Sequence, residues 1–209
     1  IMRPASMLTS LVIVVAVGYL LGSLPFGYLV ARAKGVNIFE VGSRSSGATN
    51  VRRVLGNGPG YLVFALDTAK GAAAAGWPML YALWHELAFG NARSDLSAAN
   101  SFAVAGLVGA LLGHSFSCFT GFKGGKGVAT GAGGFAVLFP WGALIAVTAF
   151  ALMLALTRYV SLGSIVAAAT LPVSAWLLHR SNLIVGVSLA VAVFVAVRHR
   201  ANIARLRAG

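Results

Sequence analysis

Apolar residues run almost unbroken over 8–30, 61–84, 98–116, 127–139, 141–156, 161–178 and 183–197, and polar and charged residues collect between those runs. A helix needs roughly 20 apolar residues to cross about 30 Å of hydrocarbon, slightly fewer when its ends snorkel. The pattern therefore predicts an all-α polytopic membrane protein with seven transmembrane helices. The runs 127–139 and 141–156 meet at Pro140 and are short. Joined, they would make a helix of about 45 Å at 1.5 Å per residue, which overshoots the hydrocarbon core. Two spans are expected there, and run lengths alone allow five to seven in the whole chain.

Charge supplies direction. Only Arg3 precedes the first run, while Arg32 and Lys34 follow it. A cleaved signal peptide carries its positive charge ahead of the apolar stretch, so a retained span with its N-terminus outside is expected. On that orientation 32–60, 115–126, 157–160 and 198–209 face inward and hold twelve of the sixteen Lys and Arg. Arg3, Arg93 and Arg180 fall outside, and Lys70 lies within a span. Such asymmetry is what the positive-inside rule predicts, and it puts the C-terminus in the cytoplasm.

Composition agrees. Of the 209 residues 58% are hydrophobic and only 10% charged, against about 25% charged in soluble domains. The net charge of +12 would suit a nucleic-acid binder were the chain not so apolar. In a membrane protein it points to inner loops, anionic lipid or phosphorylated ligands. A single cysteine, Cys118, excludes an intramolecular disulfide. The length suits one integral membrane domain over 1–209. Gly18–Gly22, Gly109–Gly113, Gly127–Gly131 and Gly71–Gly76 are small-residue pairs of the kind that let helices pack closely in lipid.

Candidate chemistry lies on the inner side. The segment 41–60 reads VGSRSSGATNVRRVLGNGPG, with hydroxyls at Ser43, Ser45, Ser46 and Thr49, the amide of Asn50, and Arg44, Arg52 and Arg53. Gly42 and Gly47 permit a turn that aims successive N–H groups at one anion. A solvated basic loop is the plainer alternative. The segment 121–131 reads GFKGGKGVATG, setting Lys123 and Lys126 among Gly121, Gly124, Gly125 and Gly127 directly before a span. A glycine-rich turn opening a helix joins free N–H groups to the positive dipole end. It is not a nucleotide-binding P-loop, because Gly127 follows Lys126 and Thr120 stands where the first glycine would be.

In the tail, His199 and Asn202 are spaced to share a face of a continuing helix. Asp67 and Lys70 have the same spacing inside the second run and read as a mutually neutralising pair; His114 reads as a satisfied helix-end histidine. There is no cysteine cluster, no HExxH, no GxSxG and no HxxxxD, and Glu40 is the only acid in an inner loop. A metal site and a serine hydrolase are thus unsupported.

GSLPFGYL at 22–29, GSRSSGATNVRRVLG at 42–56, GFKGGKGVAT at 121–130, TRYVSLGSI at 157–165 and RHRANIARL at 198–206 follow one another in this order. Together they resemble the PlsY family, acylphosphate-dependent glycerol-3-phosphate acyltransferases of bacterial inner membranes. The resemblance implies seven spans, an outside N-terminus and a cytoplasmic active site. It implies transfer of a fatty acyl group from acyl phosphate to the 1-hydroxyl of sn-glycerol 3-phosphate, without a cofactor. It further implies that Ser43, Arg53, Lys126, His199 and Asn202 are catalytic, and that Thr49, Asn50, Lys123, Gly124, Gly125 and Gly127 bind substrate phosphate. The partners implied are both substrates, the bilayer and the soluble enzyme that supplies acyl phosphate, with no nucleic acid. Two positions depart: the family pattern has Asn where this chain has Ser45, a hydroxyl lacking the reach of an amide, and its usual proline after the GH motif is absent, with Ser117 near that place. An anion transporter and a non-catalytic lipid-binding scaffold remain the rival classes.

Overall fold

The computed structural model describes residues 4–89 and 95–208, and its regular elements over those residues are helical. In chain order they are α1 Pro4–Ser23, α2 Phe26–Arg32, α3 Ala48–Leu55, α4 Asn57–Phe89, α5 Asp95–Ser115, a 3-10 turn Cys118–Thr120, α6 Val128–Leu138, α7 Pro140–Thr157, α8 Val160–Leu177, α9 Asn182–Arg198 and α10 Arg200–Ala208. Arg3 and Arg93, both expected on the outer side, lie outside the described residues.

Each apolar run carries a helix, but the helices are unequal. The first run breaks at Leu24 and Pro25 into α1 and α2; proline lacks the N–H that the next helical bond needs and crowds the preceding turn. Pro140 begins α7 and separates it from α6, consistent with proline's preference for the first helical turn. With 11 residues, α6 is about 16 Å long at 1.5 Å per residue, well short of the hydrocarbon thickness. Four described stretches are both long and apolar enough to span: Met7–Arg32, Ala98–Ser115, Pro140–Thr157 and Val160–Leu177. The bent pair α9 and α10 would make a fifth. Helix α4 has length to spare at 33 residues but carries Asp67 and Lys70 in its interior.

The chain divides into two compact units, Ile1–Leu138 and Phe139–Gly209. In the first, α1 and α5 meet backbone to backbone. A Cβ on Gly18 or Gly22 would collide with the carbonyls of Gly106 or Ala110. Reciprocally, one on Gly109 or Gly113 would collide with those of Val15 or Tyr19. Helices α4 and α6 interlock in the same way, Gly71 against Thr130 and Gly133 against Thr68. Where lipid gives no hydrophobic drive for association, this approach supplies dispersion contact instead. Gly76 and Gly131 meet side chains only at ordinary distance, so the pairs containing them are looser than their spacing suggests. A second cluster of Ala31, Ile38, Val51 and Val63 ties α2 and α3 to α4.

In the second unit α8 packs between α7 and α9. Its core is Ala167, Ala168, Leu171 and Ala175 with Ile184, Val187, Val191 and Val195. Outward, Trp141, Leu144, Leu152 and Trp176 are exposed, an apolar surface that suits contact with lipid.

Candidate active site

Asn50 organises the first polar segment. It lies in the first turn of α3 after the N-cap Gly47 and is 2% exposed. Its Nδ2 donates towards the carbonyls of Ser45, Val41 and Ile38 at 2.9, 3.2 and 3.3 Å. Its Oδ1 accepts the Ser43 N–H at 2.8 Å. Two amide hydrogens are thus shared among three carbonyls, and the loop wraps around one side chain. Gly42 has φ +58° and stands where a Cβ would overlap Asn50 Oδ1, so both conformation and space require glycine. Asn50, expected at substrate phosphate, here has both its N–H groups turned to loop carbonyls. Ser43 is half-buried where the loop turns, held there through its own backbone.

Beyond the loop, α3 is strongly two-sided. Val51 is fully buried, while Thr49 and Arg53 are exposed and, four residues apart, share a face.

The second segment is a compact turn built on Ser117. Its hydroxyl donates to the Ser23 carbonyl at 2.6 Å, its carbonyl accepts the Phe122 N–H at 2.8 Å, and it pairs with Lys123 in an isolated antiparallel bridge. Thr120 Oγ1 donates to the Lys123 carbonyl at 2.6 Å. Helix α6 follows Gly127 directly, so the glycine-rich turn does open a helix. Lys123 is exposed and Lys126 half-buried. Gly124 backs onto the His114 carbonyl, and the Gly125 N–H donates to that carbonyl at 3.0 Å.

The two segments touch through a residue that departs from the family pattern. Ser45 Oγ accepts the Gly47 N–H at 3.3 Å and reaches the Gly124 carbonyl at 3.5 Å. Gly27 of the GSLPFGYL motif lies flat against the Ser46 carbonyl, bracing the same loop from behind. Neither contact had a signal in the sequence beyond the glycines themselves.

Asp67 and Lys70 form the expected ion pair at 2.8 Å. Sequence reasoning missed its third member: His114 Nδ1 approaches the same carboxylate oxygen at 3.6 Å. Lys70 also donates to the Leu24 carbonyl at 3.0 Å, at the break between α1 and α2.

His199 and Asn202 belong to the second unit. The helix does not continue straight through them: α9 ends at His199, and α10 leaves it at 57°. The two residues are joined across the bend, the Asn202 and Ile203 N–H groups donating to the His199 carbonyl at 2.8 and 2.9 Å. His199 is buried, with Nδ1 at 2.8 Å from the Val195 carbonyl. A carbonyl only accepts, so Nδ1 carries the proton in this arrangement. Among the described residues no cluster of His, Cys, Asp and Glu is suited to a metal ion.

Comparison with known proteins places this geometry in context. The family model described as glycerol-3-phosphate acyltransferase matches residues 12–209. Proteins of that name from Geobacter sulfurreducens and Fusobacterium nucleatum are 44% and 41% identical over 197 and 192 residues. These matches cover 94% and 91% of this chain, and the same shares of the relatives. A crystal structure of PlsY (YgiH), an integral membrane glycerol 3-phosphate acyltransferase, in its glycerol 3-phosphate form matches with a TM-score of 0.81 at 35% identity. Its lysophosphatidic acid form matches with a TM-score of 0.79 at 34% identity, and each covers 96% of this chain and 93% of the other.

Proposed function

This chain belongs to the glycerol-3-phosphate acyltransferase family, and from that premise we propose that it acylates the 1-hydroxyl of glycerol 3-phosphate with acyl phosphate as donor. The products are lysophosphatidic acid and inorganic phosphate. The observation that carries this reading is the meeting of two glycine-rich segments at Ser45 and Gly124, one continuing to Arg53 and the other holding Lys123 and Lys126. Both substrates bring phosphate, and cations beside a helix N-terminus suit it.

The glycerol hydroxyl oxygen attacks the acyl carbonyl carbon, and charge develops on the carbonyl oxygen. The bond from that carbon to the phosphate oxygen then breaks, and phosphate leaves with the electron pair. Arg53, Lys123 and Lys126 neutralise phosphate charge, with Thr49 and the N–H groups of Gly124 and Gly127 as further donors, while the Gly125 N–H, held by the His114 carbonyl, shapes the turn. Ser43, His199 and Asn202 orient substrate and stabilise the oxyanion. Acyl phosphate is already activated, so positioning supplies much of the acceleration. A substrate phosphate, with a second pKa of about 6, accepts the hydroxyl proton. Asn50 takes the role of loop holder. No cofactor enters the scheme.

Turnover by the purified protein in detergent, with acyl phosphate and acyl-coenzyme A compared at equal concentration, tests the donor. Lysophosphatidic acid is expected from acyl phosphate alone, and comparable rates with the thioester would overturn the assignment.

The residues 1–209 form one integral domain of the bacterial inner membrane that crosses seven times. The partner in the cell is the soluble enzyme that makes acyl phosphate. The twelve inward cations support an outside N-terminus and a cytoplasmic site. With Cys118 replaced by serine, Arg44→Cys is expected to resist a membrane-impermeant thiol reagent in intact cells and to react in inverted vesicles. Labelling from the outer face would reverse the orientation.

A further inference from the structure

Asp67, Lys70 and His114 form a charged cluster that the acyl-transfer scheme does not use. They are 2%, 5% and 5% exposed. Removing an ion pair from water so completely is weak evidence for stability, since apolar residues of similar volume serve as well or better. The opposite edge of the imidazole supplies another reason. A Cβ on Gly125 would collide with His114 Nε2. Gly125 is not among the residues with positive φ, so its backbone conformation does not demand glycine; the ring beside it does. The same histidine carbonyl receives the Gly125 N–H and backs Gly124. His114 therefore touches the glycine turn with both its backbone and its side chain, while Asp67 faces the ring from behind.

We propose that Asp67 and His114 are positioning residues for the phosphate turn. Asp67, itself anchored by Lys70 and through it to Leu24, fixes the imidazole. The imidazole, pressed against Gly125, sets where the flanking Gly124 and Lys126 present an N–H group and an ammonium to phosphate. The proposal rests on the reading of 121–127 as a phosphate site.

The test is a cycle of Gly125→Ala, His114→Ala and the double variant, with kcat, KM for each substrate and thermal unfolding measured in detergent. Gly125→Ala is expected to raise KM for a phosphorylated substrate about tenfold, with a smaller change in kcat. Truncating the ring removes the collision, so the double variant should bind better than Gly125→Ala, about fivefold or more in KM. The combined Asp67→Asn/Lys70→Met variant neutralises the pair without stranding a buried charge. It should keep most of the thermal stability and still raise KM, which a purely structural pair would not do.

Losses that simply add in the double variant, or a wild-type KM in Gly125→Ala or in Asp67→Asn/Lys70→Met, would overturn the proposal. If Gly125→Ala does not accumulate as folded protein, its recovery in the His114→Ala background is the same readout, and no recovery counts against it. Failure of the phosphate reading itself has a different signature: Lys126→Ala would then keep wild-type kcat and KM.

Discussion

Arg53→Ala and Lys126→Ala are each expected to lose about one to two orders of magnitude in kcat/KM while remaining folded. Each removes a charge that the proposed site sets against a phosphate oxygen, where a charge-assisted hydrogen bond contributes about 1.5–3 kcal/mol. If that contribution is felt in the transition state, it converts to the stated loss of rate. Folding should survive for both. Arg53 lies on the exposed face of α3, opposite Val51, and exposed charges away from a buried network usually change stability by no more than about 0.5 kcal/mol. Lys126 is half-buried, so its thermal stability needs separate measurement beside the kinetics. Lysine at position 53 should restore only part of the activity, because an ammonium cannot make the planar forked contact of a guanidinium. Near-normal turnover in either alanine variant would reduce these residues to topology-setting charges.

Asn50→Ala should be nearly as damaging by a different route. The substitution strips the Ser43 N–H and three carbonyls of their common partner. A buried group left unsatisfied costs about 1–3 kcal/mol, and although water can reach some of these, the loop loses its central support. We expect activity to fall by about two orders of magnitude and the loop 41–47 to become the first site of proteolysis. Asn50→Asp is the informative companion: it keeps the acceptor for Ser43 but turns a carboxylate towards three carbonyls, and should be no better than alanine. Ser45→Ala is the mild control, because it removes contacts of 3.3 and 3.5 Å only. A neutral hydrogen bond contributes about 0.5–1.5 kcal/mol, at most roughly tenfold in rate. If Asn50→Ala retained wild-type activity with a protease-resistant loop, the side chain would have to be reassigned.

Helices were legible because lipid makes the rule simple: long apolar runs must satisfy their own backbone, and only helices do so within one segment. The break at Pro25 and the start of α7 at Pro140 show where that rule needs a second one. Pro25 lies inside an unbroken apolar run and divides α1 from α2, whereas Pro78 and Pro172 lie within continuous helices. The glycine-rich segment 121–127 was legible as a turn into a helix, since glycines directly before an apolar run mark such a turn. The division of labour along the first segment was not. Asn50 and Thr49 are neighbours in one motif, yet one is buried and the other exposed, a difference decided by which face of α3 meets Ile38 and Val63. The joint at His199 escaped because the pattern of apolar residues carries no signal of a bend. His114 was missed as a partner of Asp67 because the two are brought together by α4 and α5, far apart in sequence.

The seam between α1 and α5 has a consequence for traffic of long-tailed molecules. Along Gly18, Gly22, Gly109 and Gly113 the two helices meet almost wholly through backbone, with the Ser23 hydroxyl the side-chain group beside Gly113. A hydrocarbon chain is about as wide as the atoms that such a seam excludes, and no rotamer change can open it, because backbone, unlike a side chain, cannot swing aside. Parting the helices would mean sliding backbones that each fill the other's missing Cβ. On the proposed reading, fatty tails entering from the bilayer, or lysophosphatidic acid returning to it, pass elsewhere than between α1 and α5. On this flank the enzyme is walled.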